Sequence, residues 1–215
     1  MPSSTTSSPF LRLPRELRYE VYDYLCRQEP KSYPFSLPPI SSIDQGAPPT
    51  NLLVTCRYLY EETLAYFFGK VTLRFVAQDV LRIPRKEISA ESITTIRQAK
   101  KIDLRLHWNI TPKRAMMDMS EWPWSMNGWL AEQVNLLVDE GKSLELVTLS
   151  VSDASENVDW KSKSRMLSPL RKLVGRVRFR VGEVTAVDEA EAGLRERLVV
   201  FVKWLNEATV PASSF

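Results

Sequence analysis

The sequence predicts an α+β or α/β protein in which N-terminal helices precede a mostly parallel four-stranded sheet with helices on one face. Three observations support this fold class. Before residue 70, apolar side chains recur at the three- and four-residue spacing of helices. After residue 70, short runs alternate apolar and polar side chains, as half-buried strands do. Helix-patterned segments separate these runs, and the order strand, helix, strand favours parallel strands joined by crossovers.

The first helix is predicted to begin near Pro14. Proline suits the first helical turn because its missing N–H would have no partner there, and Glu16 is favoured in the same turn by the helix dipole. Leu17, Val21 and Leu25 then recur every four residues and predict one apolar stripe. By itself, this stripe is typical of an amphipathic helix that packs on its own domain.

A second helix is predicted over residues 51–68, with Gly69 ending it. Between the two helices, residues 27–50 contain six prolines. Prolines at this density exclude a continuous helix, so the segment is predicted to be an extended or looped insertion.

Two segments together resemble a known family. Leu13–Arg18 (LPRELR) and Leu53–Glu62 (LVTCRYLYEE) are similar to the F-box in the divergent form common in fungal proteins. The resemblance covers residues 10–68, although a compact F-box joins its helices by a short turn instead of a long insertion. It implies docking onto the Skp-type adaptor of cullin–RING ubiquitin ligases. The docking residues that it implies are Leu13, Pro14, Leu17 and Val21.

The second half of the chain, residues 70–210, is predicted to be a repeat-like α/β domain. Its strands are expected at 71–75, 102–108, 147–151 and 177–181, and its helices at 89–99, 127–140, 164–174 and 187–207. Every predicted strand keeps a polar face, so the helices should cover one side only and leave an open sheet. This layout is similar to a short, degenerate leucine-rich-repeat arc. A helical F-box-like region (10–69) followed by such an array is the layout of substrate adaptors, as the resemblance implies.

Arginines dominate the polar side of the predicted strands. If the strands pair in register, Arg74, Arg105, Arg178 and Arg180 share one face with His107. The planar guanidinium group of arginine can donate two parallel hydrogen bonds to a carboxylate or phosphate group. These five residues are therefore candidates for target binding. An exposed sheet also needs charged side chains for solubility and edge protection. As isolated surface charges, the arginines should contribute little to stability.

Trp122 and Trp124 are the remaining target-binding candidates. They lie in a predicted loop, residues 120–129, that follows three closely spaced methionines. Tryptophan and methionine are enriched at recognition surfaces. They would equally serve as a satellite core folded over the sheet edge.

Composition restricts the classes of function. The chain has 215 residues, 44% of them hydrophobic, and a net charge of +3, which argues against a dedicated nucleic-acid binder. No apolar run approaches the roughly 20 residues of a membrane span. His107 is the only histidine, the two cysteines lie far apart and no phosphate-binding glycine loop is present. We therefore expect no metal, no cofactor, no catalytic residue and no membrane contact.

The ends of the chain suggest a cytoplasmic or nuclear protein. Residues 1–9 lack the basic and apolar regions of a secretory signal and are expected to form a disordered leader, with a short tail at 211–215.

Three functional hypotheses follow from the sequence. The first is a non-catalytic adaptor, an F-box-type substrate-recognition subunit that binds a Skp-type adaptor and a protein target. The second is an F-box-like scaffold without ligase contact. The third is an enzymatic or small-ligand-binding domain using Asp103, Arg105 and His107. Exposure of the first helix's apolar stripe distinguishes the first from the second, and a deep pocket at His107 would indicate the third.

Overall fold

The computed structural model describes residues 8–26, 31–32, 38–77, 87–109, 124–155, 159–187 and 191–208. Residues 1–7 of the expected leader and the expected tail lie outside these ranges. The N-terminal helices are a 3-10 turn at Pro9–Arg12, α1 (Arg15–Leu25), α2 (Thr50–Leu53) and α3 (Arg57–Lys70). The later helices are α4 (Ala90–Gln98), α5 (Trp124–Glu140), α6 (Trp160–Met166), a 3-10 helix at Ser168–Leu173 and α7 (Glu191–Glu207).

A single sheet contains all the described strands in chain order. They are β1 (Lys31–Ser32), β2 (Ser42–Ile43), β3 (Thr72–Val76), β4 (Lys101–Trp108), β5 (Leu146–Asp153) and β6 (Arg178–Ala186). The pairings from β3 to β6 are parallel, which confirms the prediction of a mostly parallel sheet. The predicted number of four strands is wrong, because β1 and β2 add two antiparallel strands beside β3. Both come from the proline-rich insertion, and two-residue strands are too short to show an alternating pattern.

The described helices that connect and follow β3 to β6 share one core with the same face of the sheet. Right-handed crossovers between adjacent parallel strands all pass over the same face. In β4, Ile102, Leu104 and Leu106 are buried in one core with helix residues such as Leu137 and Leu198. The side chains between them point to the other side, which we call the open face. Its residues include Thr72, Arg74, Val76, Lys101, Asp103, Arg105, His107, Leu146, Thr148, Ser150, Ser152, Arg178, Arg180, Glu183 and Thr185.

The predicted second helix is broken near its start. α2 ends at Leu53, and Cys56 is extended before α3 begins. The Thr55 hydroxyl donates a hydrogen bond to the carbonyl oxygen of Asn51 at 2.8 Å. Threonine side chains that bond to nearby backbone groups in this way compete with regular helix.

Two further helices differ from their predicted limits. The helix expected at 164–174 ends at Met166 and is followed by a 3-10 helix. Pro169 lies in that second piece, and a proline cannot donate the hydrogen bond that would continue an α-helix. α5 begins at Trp124, so half of the predicted loop at 120–129 is helical.

The two outer edges of the parallel strands are covered differently. β2 pairs with β3 through Ser42 opposite Arg74 and Ile43 opposite Leu73. At the other edge, the Phe179 N–H of β6 donates to Asn206 Oδ1 at 2.8 Å, and Asn206 Nδ2 donates to the Phe179 carbonyl at 3.0 Å. Free backbone groups on an edge strand would pair with another chain. The Asn206 amide from α7 occupies them instead.

A buried ion pair joins β5 to α6. Lys163 Nζ lies 2.7 Å from Asp153 Oδ2, and the two side chains are 3% and 2% exposed. Asp153 Oδ1 also accepts a hydrogen bond from the Ser155 N–H at 2.8 Å. A buried charge is tolerated only with a partner, because desolvation costs several kcal/mol per ion. This pair therefore fixes the position of α6 at the end of β5.

We predict that breaking this pair from one side is strongly destabilising. Asp153→Ala leaves the Lys163 charge buried, so the free energy of unfolding should fall by about 3–5 kcal/mol in urea titrations. Replacing both residues, as Asp153→Leu with Lys163→Met, should recover most of that loss. Lys203→Ala is the control, since it removes an exposed pair with Glu207 and should cost less than about 0.5 kcal/mol. A loss at Asp153 no larger than the control would contradict the prediction.

Candidate functional site

α1 directs its polar side inward and its apolar stripe outward. Arg18 and Tyr22 are 6% and 0% exposed, whereas Leu13, Leu17 and Val21 are 37%, 45% and 36% exposed. A surface helix normally buries its apolar stripe against the core. The spacing predicted the stripe, and the structure places it on the outside of the chain.

A charged network occupies the inward side of α1. Glu62 of α3 receives two hydrogen bonds from Arg18, at 2.9 Å from Nε and 2.6 Å from Nη2. The Tyr22 hydroxyl donates to the same carboxylate at 2.8 Å, and Arg18 Nη1 donates to the Leu13 carbonyl. Arginine and carboxylate form a strong pair in this two-bond geometry. The network joins α1 to α3 and fixes the chain where it approaches α1.

Aromatic packing and a second ion pair hold the same two helices together. The Tyr19 and Tyr66 rings have centroids 4.3 Å apart, and Tyr22 and Tyr66 centroids are 5.7 Å apart. Lys70 at the end of α3 forms an ion pair with Asp23 of α1. These contacts use the inward side of α1, so none of them needs the outward stripe.

The outward side of α1 forms an apolar surface that we call the docking stripe, consisting of Leu13, Leu17, Val21 and Leu25. Leu25 is 39% exposed, like the other three. Pro14 is exposed directly before α1. Exposed apolar residues that are scattered singly are ordinary, whereas an aligned group of them is a candidate interaction surface.

The charged network changes the pKa values of its members. The hydrogen bond from Arg18, followed by that from Tyr22, holds the pKa of Glu62 below its ordinary value of 4.5, against the opposing effect of burial. Burial, followed by the hydrogen bond to Glu62, raises the pKa of Tyr22 to about 12. Glu62 is therefore charged and Tyr22 neutral at physiological pH.

The open face brings the predicted arginines together through the strand register. Arg74 of β3 is opposite Asp103 of β4, which is opposite Thr148 of β5, which is opposite Arg180 of β6. His107 is exposed further along β4, and Arg178 is exposed at the start of β6. The five strand residues predicted for target binding therefore lie on one surface.

A ring of hydrogen bonds crosses this surface around Asp103. Asp103 accepts from Ser150 Oγ at 2.7 Å and from Arg105 Nε at 2.9 Å. Arg105 Nη1 lies 3.2 Å from Glu183 Oε2, and the Glu183 N–H donates to Ser150 Oγ at 3.2 Å. The expectation that Arg105 is an isolated surface charge is therefore wrong. Its carboxylate partners were not foreseen because they depend on strand register.

The ring depends on an irregularity in β6. The β5–β6 register shifts between Leu149 and Val151. A Cβ on Gly182 would lie 2.3 Å from Ser150 Oγ and 2.6 Å from Thr148 Cγ2, closer than atoms tolerate. Glycine thus lets the backbone of β6 approach Ser150 and brings the Glu183 N–H within reach.

A small cleft lies beside the ring. It measures about 160 Å³ and is lined by Arg105, His107, Ser150, Ser152, Glu183 and Thr185. Small-molecule sites usually measure about 300–1,000 Å³. The cleft therefore has room for one side chain rather than a whole cofactor or substrate.

The tryptophan candidates contribute no described contacts to this surface. Trp122 lies outside the described residues, and Trp124 opens α5 with a side chain that is likewise not described. Trp129, in the same segment, is buried in the main core.

Two carboxylates of these surfaces, Glu62 and Glu183, were not predicted from the sequence. Glu62 lies between Leu59 and Thr63, both buried, so its place on the inward side of α3 was visible from helical spacing. Glu183 follows the only glycine of the last strand, a weak signal for a bulge.

Other kinds of site were sought in the described part of the chain. There, no three His, Cys, Asp or Glu side chains cluster closely enough to bind a metal ion. No helix within those ranges is both long and apolar enough to cross a membrane. Cys26 is buried and Cys56 exposed, and both are free thiols.

The lowered pKa of Glu62 predicts a dependence of stability on pH. Folded Glu62 binds a proton more weakly than the unfolded chain does, so unfolding at acid pH takes up a proton. The stabilisation by Glu62 is complete above its ordinary pKa of 4.5 and is lost as the pH falls through the lower folded pKa. Glu62→Gln should flatten the curve of unfolding free energy against pH in that window. Glu61→Gln, at an exposed neighbouring position, should leave the curve unchanged; identical curves for both variants would refute the prediction.

We predict that two arginines of the open face differ in their effect on stability. Arg105→Glu places a third carboxylate beside Asp103 and Glu183 and should lower the unfolding free energy by about 1–3 kcal/mol. Arg178→Glu changes an exposed charge and should alter it by less than about 0.5 kcal/mol. Equal effects of the two variants in thermal denaturation would show that the ring does not stabilise the sheet.

Relatives offer no guide to the role of these surfaces. No protein-family model, curated protein or solved structure matches this chain. A function is therefore inferred from the docking stripe and the open face themselves.

Proposed function

We propose that the chain is a non-catalytic F-box-type adaptor. Its docking stripe binds the Skp-type adaptor of a cullin–RING ubiquitin ligase, and its open face binds a protein target. The observation that carries the proposal is the reversed orientation of α1, which buries Arg18 and exposes Leu17 and Val21.

The reversed orientation supports docking for an energetic reason. Burying apolar surface is favourable by about 25 cal/mol per Å², so a chain that leaves an aligned stripe in water gains when a partner covers it. The Arg18–Glu62 pair prevents α1 from rotating the stripe inward, because that rotation would break a buried ion pair. The stripe is thus rigidly held for a partner.

The identity of the partner rests on the resemblance to the F-box. Leu13, Pro14 and Leu17 belong to the LPRELR segment that carries the resemblance, and all three are exposed. Arg18 of the same segment and Glu62 of the second segment form the internal pair. The matched residues therefore divide into an outward docking group and an inward structural group.

The open face supports the second half of the proposal. A parallel sheet with helices on one side resembles a short leucine-rich-repeat arc, and such arcs bind proteins on the strand side. The polar ladder on this face is ordered by Asp103 instead of being loosely solvated. The cleft at His107 is small for a substrate, which favours protein binding over catalysis. We place the adaptor in the cytoplasm or nucleus, where such ligases act.

The test is binding of a purified Skp-type adaptor to variants of α1. Leu17→Ala with Val21→Ala should weaken binding by about 2 kcal/mol or more, roughly 30-fold, because a few apolar anchors dominate an interface. Both residues are exposed, so circular dichroism and unfolding free energy should change little.

The matched control lies on α7. Val199→Ala with Val200→Ala removes two valines that are 49% and 64% exposed, and binding should be unaffected. If the unmodified chain does not bind the Skp-type adaptor, the ligase proposal is wrong. The scaffold hypothesis, in which α1 and α3 make no contact with a ligase, then remains. Unfolding of the α1 variant would show that the stripe is structural.

A further inference from the structure

Arg105 has two carboxylate partners that differ in how firmly they are held. The Asp103 side chain is 8% exposed and is bound by both Ser150 and Arg105. The Glu183 side chain is 64% exposed and reaches Arg105 from the surface. Asp103 orients the arginine, whereas Glu183 covers the side of it that faces solvent.

We propose that Glu183 occupies the place of an acidic side chain of a protein target, and that a glutamate or aspartate of the target displaces it from Arg105. The inference rests on the proposed function, because it gives the chemistry of the segment that the open face binds. Glu183 supports the inference directly, because its side-chain carboxylate already lies 3.2 Å from Arg105 Nη1.

The charge of the open face is complementary to an acidic segment. Among the described residues, five cationic side chains lie on this face, together with the carboxylates of Asp103 and Glu183. The cationic residues are Arg74, Lys101, Arg105, Arg178 and Arg180. Once Glu183 moves away, Asp103 is the remaining carboxylate among these residues, and it is buried. An acidic segment then meets a surface with a clear excess of positive charge.

The cleft beside Arg105 fits one carboxylate side chain. Its volume of about 160 Å³ is bounded by the hydroxyl groups of Ser152 and Thr185, which are hydrogen bonded to each other at 3.0 Å. Because Thr185 Oγ1 donates this bond, the Ser152 hydroxyl keeps its own proton to donate to the carboxylate oxygen that Arg105 does not bind. Arg180 lies on β6, two strands from Arg105, so a second acidic residue of an extended peptide that crosses the strands can reach it.

Displacement of Glu183 requires little energy. Exposed ion pairs contribute about 0–1 kcal/mol, because solvent screens them and ordering the side chains has an entropic cost. Removing the Glu183 charge should therefore strengthen target binding by up to about fivefold. A purely structural role for Glu183 predicts no gain in affinity.

The experiment measures fluorescence anisotropy of a labelled oligo-glutamate peptide titrated with the full chain at low salt. Glu183→Gln should bind the peptide more tightly than the unmodified protein. Arg180→Gln should bind it more weakly; this arginine donates to Thr148 Oγ1 and takes no part in the Asp103 ring. Arg165→Gln is the matched control, because Arg165 is exposed on α6, which covers the other face. Its affinity should equal that of the unmodified protein.

Several outcomes would overturn the inference. These are unchanged or weaker binding by Glu183→Gln, equal binding of an oligo-glutamine peptide, or no binding of oligo-glutamate. Binding of a phosphoserine peptide or single-stranded DNA without binding of oligo-glutamate would also overturn it, by assigning the face to phosphate.

The result is independent of ligase docking. The variant Leu17→Ala with Val21→Ala should bind the peptide normally, because its changes lie on α1. If the chain binds the Skp-type adaptor but does not bind the oligo-glutamate peptide, this inference alone is refuted. If the chain binds the peptide but does not bind the Skp-type adaptor, only the ligase proposal is refuted.

Discussion

The consecutive order of the parallel strands is the constraint on which the open face depends. Because each strand from β3 to β6 lies beside its predecessor, every crossover passes over the same face and α4 to α7 form one layer. On the other face, the polar side chains of the described strands satisfy one another or bind solvent. The ring through Asp103, Ser150, Arg105 and Glu183 is the result. It ties three strands together, beside the Arg180–Thr148 and Thr185–Ser152 hydrogen bonds of the same face.

In α1, the side chains of Arg18 and Tyr22 are buried and the apolar stripe is exposed. A buried arginine needs acceptors for its donors, and Arg18 donates to both Glu62 carboxylate oxygens, to the Leu13 carbonyl and to the Tyr58 hydroxyl. Since these polar contacts occupy the inward side of α1, the apolar residues are left outside. The chain thus offers an apolar surface on α1 and an ordered polar surface on the sheet. These two chemistries suit two different partners.

Much of the α/β part could be predicted because alternation and helical spacing are local properties. The strands around Leu104 and Leu149 were located by their pattern, and α4 by Ser89, whose side chain accepts from the Ser92 N–H as a helix cap. Other features depend on distant residues. Spacing defines the stripe of α1 but does not say which side faces inward, and that depends on Glu62, 44 positions away from Arg18. The pairing of Arg105 with Glu183 depends equally on register and on a bulge, neither of which appears in the sequence pattern.

The amide of Asn206 has a consequence for how the sheet can grow. It takes both hydrogen-bonding positions of Phe179 that a neighbouring strand would use, while the Arg195 guanidinium donates to the Gly182 carbonyl further along β6. A new strand therefore cannot be added there unless α7 first moves away. Copies of the protein should therefore not pair through this part of the β6 edge even when crowded, and a peptide that lies across the arginines would be recognised here through its side chains, not by adding a strand.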